Sequence, residues 1–215
     1  MIDILKEIIK GKSLSRTLTN LELRNFTLSG KVIDVGGQGR ASHYRFLDIK
    51  NAKIKTANIE RKFNPDYLID AEKDKFPLTD ASQDAVLCFN LLEHIYDEKN
   101  LLSESRRVLK EGGIILGSVP FLINVHPDPH DYRRFTEEYL CSIFAKYGFK
   151  DILIKPAGKG PYTAAYSHAE FTIPVIFRPI FVLAAFCLDY FISLIKPELE
   201  LNKKFVLAYI FYARK

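Results

Sequence analysis

Two short stretches concentrate the residues of this chain that are able to do chemistry. The first is VIDVGGQGR at 32–40, where Asp34 is followed by Gly36, Gly37 and Gly39. Glycines directly after a β-branched run let a ligand lie against the backbone, closer than a Cβ would permit, with a carboxylate beside it. The second is VHPDPHDYRRFT at 125–136, the densest polar stretch. His126 or His130 has an ordinary pKa suited to taking a proton near neutral pH, and Asp131 can orient either ring. Tyr132 can wall a pocket, and Arg133, with Arg134 beside it, can meet an anionic acceptor. The competing reading makes Asp131, Arg134 and Thr136 a structural hydrogen-bond and cap cluster. His126 and His130 are four apart with Asp128 and Asp131 interleaved, a spacing that invites a metal. Pro127 and Pro129 prevent the helix that would align the two rings, and no cysteine or third histidine lies in the stretch, so no metal is expected.

The elements that must position these residues are legible from periodicity. KVIDVGG (31–37), AKIKTANIE (52–60), PDYLIDA (65–71), SQDAVLCFN (82–90), IILGSVP (114–120), KDILIKPA (150–157) and KKFVLAYIFYARK (203–215) read as seven strands. Between them, ASHYRFLD suits a short helix. DEKNLLSESRRVLKEGG reads as a helix with Leu101, Leu102, Ser105, Val108 and Leu109 inward, ended by Gly112 and Gly113. TEEYLCSIFAKYGF opens on Thr136, with Glu137 and Glu138 in its first turn. Strands alternating with helices imply an α/β, Rossmann-like three-layer sandwich: a mostly parallel seven-stranded sheet with helices on both faces. In such sheets ligands bind at the carboxyl ends of strands where strand order reverses.

Two helices are expected before the first strand, over 1–28: an amphipathic one with Ile2, Leu5, Ile8 and Ile9 on one face, and SLSRTLTNLELRNF capped by Ser13 or Ser15. The remaining 29–215 then form one domain with an apolar helical insertion at about 160–200. A net charge of +5 spread along the chain falls short of a nucleic-acid footprint, so no nucleic acid is expected. Cys88, Cys141 and Cys187 are far apart in apolar surroundings, which suits buried free thiols in a reducing compartment. The start has acids inside its apolar run and no small-residue cleavage site, so a cytoplasmic protein is expected.

A glycine-rich first turn serves dinucleotides or S-adenosylmethionine. The dinucleotide pattern G-x-G-x-x-G counted from Gly36 falls on Gln38 and Ala41, and only its first and last positions match. The ordered set VIDVGGQGR, TANIE, LIDAEKDKFPLTDASQDAVLCFNLLEHI, SRRVLKEGGIILGSVPF and HPDPHDYRRFT resembles the class I S-adenosylmethionine-dependent methyltransferases. The likeness is to their small methyltransferase-domain branch with an HxDPHDYxRFT-type segment, over roughly residues 30 to 155.

The resemblance implies S-adenosyl-L-methionine as cofactor, held by Asp34, Gly36, Gly37 and Gly39 at its methionine portion. Asp34 alternatively caps the following turn. The ribose position falls on Asn58, where the family carries an acid, with Ile59 and Glu60 following. Asp70 and Ala71 fall where the family meets the adenine, Asp70 otherwise being a turn residue. Asn90 floors the site, and Glu93 and His94 belong to the LLEHI signature, with His94 counted among the cofactor contacts. Gln38 and Arg40 replace the family's further glycines.

The expected activity is methyl transfer to an oxygen or nitrogen of a small-molecule, saccharide or lipid-linked acceptor. The alternative is a non-catalytic binding or membrane-docking module on the same fold. A nicotinamide oxidoreductase is disfavoured by the broken fingerprint and by the lack of a Tyr-x-x-x-Lys pair. Residues 180–195 hold a single charge, Asp189. A spanning helix is disfavoured, because it would put the last strand across the membrane from its sheet. Two readings of 172–197 stay open: a helix capping the substrate site, or one lying on the inner face of the membrane with Arg178, Lys196, Lys203 and Lys204 near headgroups.

Overall fold

The structure is a computed structural model describing residues 1–39 and 41–215. Arg40, a departure from the family's glycine pattern, lies outside the described residues. Seven strands form one sheet: β1 (Thr27–Val35), β2 (Asp48–Asn58), β3 (Tyr67–Leu68), β4 (Gln83–Phe89), β5 (Leu109–Pro120), β6 (Lys150–Gly158) and β7 (Val206–Arg214). Their order is β3-β2-β1-β4-β5-β7-β6. β1 pairs in parallel with β2 and with β4, β2 with β3, and β4 with β5. The chain therefore winds outward from β1 to one side through β2 and β3. It restarts on the other side with β4, and strand order reverses between β1 and β4. Ala85, Val86, Leu87 and Cys88 of β4 are all essentially inaccessible, as their unbroken apolar run requires of a strand covered on both faces.

The helices are α1 (Ile2–Ile9), α2 (Leu14–Glu22), α3 (Lys99–Val108), α4 (Glu137–Lys146), α5 (Pro161–Ala169) and α6 (Arg178–Ile195). α4 starts as read, with the Thr136 side chain accepting from Tyr139 N at 3.3 Å. ASHYRFLD contracts to a single 3-10 turn at Ser42–Arg45.

Several expectations need correction. α3 ends at Val108, four residues before the first of the glycines assigned to its C-cap, and Gly112 and Gly113 lie inside β5. The approach to β4 captures that segment first. Ala81 N and Ser82 N donate to the Arg107 and Val108 carbonyls, and Leu109 pairs with Gln83. In α1 the inward face is Ile4, Glu7 and Ile8, while Ile2 and Ile9 are exposed. Glu7 tolerates that position because its carboxylate takes the Lys10 ammonium at 2.7 Å. Of the three free cysteines only Cys88 is buried; Cys187 sits on the open face of α6.

The chain divides into two compact units. One comprises Leu23–Val119, His126–Lys155 and Ile210–Lys215, and holds most of the sheet. The other gathers Met1–Glu22, Pro120–Val125 and Pro156–Tyr209, so the N-terminal helices belong with the apolar insertion. Two buried carboxylates tie this second unit together by capping helix N-termini across long sequence separations. Glu170 accepts from Leu14 N, the first residue of α2, at 3.0 and 3.3 Å. Asp189, inside α6, accepts from Tyr162 N and Thr163 N of α5 at 3.0 and 2.9 Å. Each satisfies amide donors that a helix start leaves orphaned.

Burial pushes the Glu170 carboxyl up to about 6, against the opposing influence of Leu14 N and Arg178. The folded chain then holds this proton more tightly than the unfolded chain, whose carboxyl titrates at its ordinary value near 4.5. The contribution is complete below that ordinary value and is lost as pH rises through about 6, amounting to about 2 kcal/mol. Glu170→Gln is expected to flatten this part of the stability profile. Urea midpoints measured from pH 4 to 7.5 should converge or diverge with wild type across that window; parallel profiles would refute the assignment.

Candidate active site at the strand-order reversal

Every candidate residue except the undescribed Arg40 falls in the sheet-bearing unit, around the carboxyl ends of β1, β2 and β4. β1 ends in Asp34-Val35, and the backbone then turns through Gly36 at φ +81° and Gly39 at φ +69°. Both conformations favour glycine over residues with a Cβ. Gly36 N donates to the Ala57 carbonyl of β2 at 2.8 Å, which pins the start of the loop to the neighbouring strand. A Cβ on Gly37 would stand 2.6 Å from Asp34 Cγ, whereas one on Gly39 would meet nothing within 4 Å. The loop is tight at its base and open at its tip.

Asp34 is buried. Its Oδ2 accepts from the Tyr44 hydroxyl and lies 3.3 Å from His43 Nε2. His43 stacks on Phe89 at the end of β4, with ring centroids 4.2 Å apart. Asp34 thus anchors the 3-10 turn to the base of the loop, closer to the capping alternative than to an open ligand group. Burial and the Asp34 carboxylate drive the Tyr44 phenol well above its ordinary value, so Tyr44 remains a donor.

Asn58 has a defined task. Its Nδ2 donates to the Gly36 and Gly37 carbonyls at 3.1 and 3.2 Å, and its Oδ1 accepts from Glu60 N at 2.9 Å. The amide that stands where the family has an acid is a brace between β2 and the glycine loop. The half-exposed carboxylate nearby is Glu60, paired with Lys62, and Ile59 beside it is 60% exposed. Asp70 organises its own turn: Oδ1 accepts from Glu72 N at 2.9 Å, Oδ2 lies 3.3 Å from Lys73 Nζ, and the next residue's carbonyl, Ala71 O, accepts from Asn100. Asn90 adopts φ +48° and is held by Ser118 through both its backbone N–H and its Oδ1.

These residues fit S-adenosylmethionine by donor chemistry and room. At the loop tip no described residue beyond the chain neighbours stands within 4 Å of a Cβ built on Gly39, Glu60 offers acceptor oxygens suited to paired hydroxyls, and Ile59 offers an apolar face.

Asn58→Asp is therefore expected to weaken the site although it restores the family's acid. The new oxygen would face two carbonyls at about 3 Å, removing two hydrogen bonds at a cost of about 1–3 kcal/mol. Urea unfolding alongside S-adenosylhomocysteine calorimetry checks this; a gain in affinity would mean that position 58 faces the ribose.

The polar segment 126–134 resolves into distinct roles. Asp131 is almost inaccessible, accepts from both terminal nitrogens of Arg134, and accepts from His126 N at 2.9 Å. The Arg134 guanidinium holds its carboxyl far below the usual range. His126 Nδ1 lies 3.5 Å from Asp131 Oδ2, so Asp131 does stand beside one of the two candidate rings. His130 is exposed against Tyr132, with centroids 5.1 Å apart. Arg133 bonds to Glu98 and to the Tyr96 carbonyl, and Tyr132 N donates to the Glu93 carbonyl at 2.8 Å. Both arginines are thus engaged in holding the segment, while Tyr132 is 44% exposed.

Glu93, named in the LLEHI signature but given no site role there, stands out in the structure. Its side chain is fully buried, neither carboxylate oxygen has a hydrogen-bond partner, and its Oε1 stands 3.7 Å from His94 Nε2 and 3.8 Å from His126 Nε2. A companion histidine for His126 does exist, thirty-two positions upstream in LLEHI, and His130 is not the partner. The Glu-His pair at the end of β4 was the available signal. Tyr44 and His43 were likewise hidden in ASHYR, directly after the glycines.

Residues 32–117 match the family described as Methyltransferase domain. A Mycobacterium tuberculosis protein named "Probable S-adenosylmethionine-dependent methyltransferase" is 28% identical over 111 residues, 49% of this chain and 40% of that protein. A Mycolicibacterium smegmatis protein of similar name is 34% identical over 82 residues, 35% of this chain and 32% of that one. The chain thus spans well under two thirds of these relatives. Among solved structures, an S-adenosylmethionine-dependent methyltransferase from Archaeoglobus fulgidus superposes with TM-score 0.60 at 19% identity, over 94% of this chain and 95% of that one. Haemonchus contortus phosphoethanolamine N-methyltransferase 2, solved with S-adenosyl-L-methionine, gives 0.54 at 18%, over 92% and 52%. At such identities these likenesses establish the fold: a seven-stranded, mostly parallel Rossmann-like sheet with helices.

Proposed function

We propose that this chain, with its methyltransferase domain at 32–117, transfers a methyl group from S-adenosylmethionine to an oxygen or nitrogen of an acceptor presented at a membrane surface. The observation that carries the transfer is the glycine loop at the strand-order reversal, braced by Asn58 and open at Gly39 beside Glu60. The cofactor supplies a sulfonium-activated methyl. The Gly36–Gly39 backbone would seat its amino-acid end, Glu60 its ribose hydroxyls and Ile59 its base. What remains for the protein is to hold the acceptor in line, exclude water and manage the acceptor's proton. His126, set beside the permanently ionised Asp131, is the side chain placed for proton management.

The membrane part rests on α6. Of its eighteen residues only Val182, Ala185 and Asp189 are buried, and its length and composition would suffice to cross a membrane. Phe177, Ile180, Phe181, Leu188, Phe191 and Leu194 are exposed, and Lys196 and Lys204 follow. Gly158 of β6 packs against the Phe205 carbonyl, immediately before β7, so the chain leaves and re-enters the sheet at neighbouring points. A surface-lying helix satisfies that closure, and a span does not. The one carboxylate in the helix, Asp189, is consumed by capping α5.

Calorimetric titration of the full chain with S-adenosylmethionine, S-adenosylhomocysteine and NAD tests the first part. Micromolar adenosyl binding without NAD binding is expected; folded protein that binds no adenosyl ligand would leave the non-catalytic module as the reading. Co-sedimentation with phosphatidylglycerol-containing vesicles tests the second. Binding should be lost in Phe181→Glu/Phe191→Glu, and equal recovery of both proteins would refute a membrane-facing α6.

A further inference from the structure

We propose that Glu93, His94 and His126 form a binding site for one divalent first-row transition-metal ion. Their ligand atoms, Glu93 Oε1 and the two Nε2 atoms, all lie within 4.8 Å of one another. All three residues belong to the sheet-bearing unit.

The convergence of ligand atoms around a buried carboxylate is what points to a cation. His94 Nδ1 is hydrogen-bonded to the His130 carbonyl, which can only accept, so that nitrogen carries the proton. The lone pair of His94 is thereby left on Nε2, 3.7 Å from Glu93 Oε1. On His126, Nδ1 lies 3.5 Å from the Asp131 carboxylate and Nε2 lies 3.8 Å from Glu93 Oε1. Two imidazole nitrogens and a buried carboxylate oxygen therefore converge on one point. Glu93 is fully buried and both of its oxygens lack a hydrogen-bond partner, an arrangement that is costly unless something positive lies there. The neighbouring guanidinium, Arg134, is already taken by Asp131.

The outer contacts are those a metal site needs. One ligating histidine donates its other nitrogen to a backbone carbonyl, the second faces a carboxylate, and that carboxylate is itself fixed by an arginine. Tetrahedral bonds of about 2.0–2.1 Å place ligand atoms roughly 3.3 Å apart, so the carboxylate–imidazole separations of 3.7 and 3.8 Å are near that spacing and the two imidazole nitrogens, within 4.8 Å, close by side-chain rotation. Two imidazoles and one carboxylate suit zinc, iron or manganese better than magnesium, and they leave positions open. His126 is 40% exposed, which gives the ion a route in from solvent. Resting on the transfer reading for its role, the ion would lower the pKa of an acceptor hydroxyl so that its proton passes to solvent, His126 then acting as ligand in place of the proton-managing role.

The test is calorimetry and visible absorption of the full chain, chelator-stripped, with Co2+, Zn2+, Mn2+ and Mg2+ as probes, with and without S-adenosylhomocysteine. One equivalent of Co2+ or Zn2+ is expected, Co2+ giving a d–d band and either ion raising Tm. His126→Ala should abolish the band, and Asp131→Asn should weaken affinity ~10–100-fold. His130→Ala, which keeps its carbonyl, should leave affinity unchanged. Glu93→Gln is read only if circular dichroism shows it folded; His126→Ala, at a half-exposed position, keeps the test decisive. No saturable binding to folded wild type, or an unaltered band in His126→Ala, would overturn the site. Metal binding without adenosyl binding would uphold it while refuting the transfer reading.

Discussion

Gly117→Ala is expected to cost about 3 kcal/mol or more, a large share of the stability of an ordinary domain. Gly117 lies in β5 directly opposite Cys88 of β4. A Cβ there would stand 1.8 Å from the Cys88 carbonyl oxygen and 2.4 Å from Phe211 Cζ. Neither neighbour can yield. The carbonyl belongs to the backbone of a central strand, and Phe211 is fully buried and packed on Phe144, with ring centroids 4.9 Å apart. Relief requires the two strands to separate, and they carry the carboxyl end from which Asn90, Glu93 and His94 follow. The control is Gly112→Ala in the same strand, at φ +76° with nothing within 4 Å, where only backbone strain of about 1 kcal/mol applies. Urea midpoints of the two variants should differ accordingly; equal losses would mean that β5 moves freely against β4.

Gly37→Ala should separate binding from folding. Its Cβ would meet Asp34 Cγ and Oδ2 at 2.6 Å, and the Asp34 side chain is confined by Tyr44 and His43. Either the carboxylate swings out of that contact or the loop lifts from the Asn58 brace. Each path dismantles hydrogen bonds to a charged or fully engaged group, worth about 1.5–3 kcal/mol, or roughly ten- to a hundredfold in S-adenosylhomocysteine affinity. The chain should still fold, because the loop lies outside the β1–β2 and β1–β4 ladders. Calorimetry beside a urea titration reads both quantities. Unchanged affinity would mean that the glycine loop is not where the adenosyl ligand sits.

While the place where strand order reverses came from the sheet topology, sequence by itself determined the succession of strands and main helices and the glycine loop at the end of the first strand. These follow from local causes: an apolar run with period two or 3.6, a helix-capping threonine, and glycines that alone accept φ near +80°. The buried stripe of α3 was equally readable in Leu101, Leu102, Ser105 and Val108, which recur at helical spacing, whereas Leu109, read as its last member, opens β5. The end of α3 was not, because pairing with β4 competes with the glycine stop and wins. Tertiary structure alone decided what the polar residues of the site touch. Asn58 reads as a ribose contact in a linear motif, yet folding turns its amide onto two loop carbonyls. Within its proline-rich segment His126 has Asp131 as a neighbour. It acquires Glu93 and His94 only because the segment's hydrogen bonds, Tyr132 N to the Glu93 carbonyl among them, lay it over the end of β4. Side-chain convergence across thirty or more residues leaves no periodic trace, because it depends on where loops land and not on how any one segment repeats.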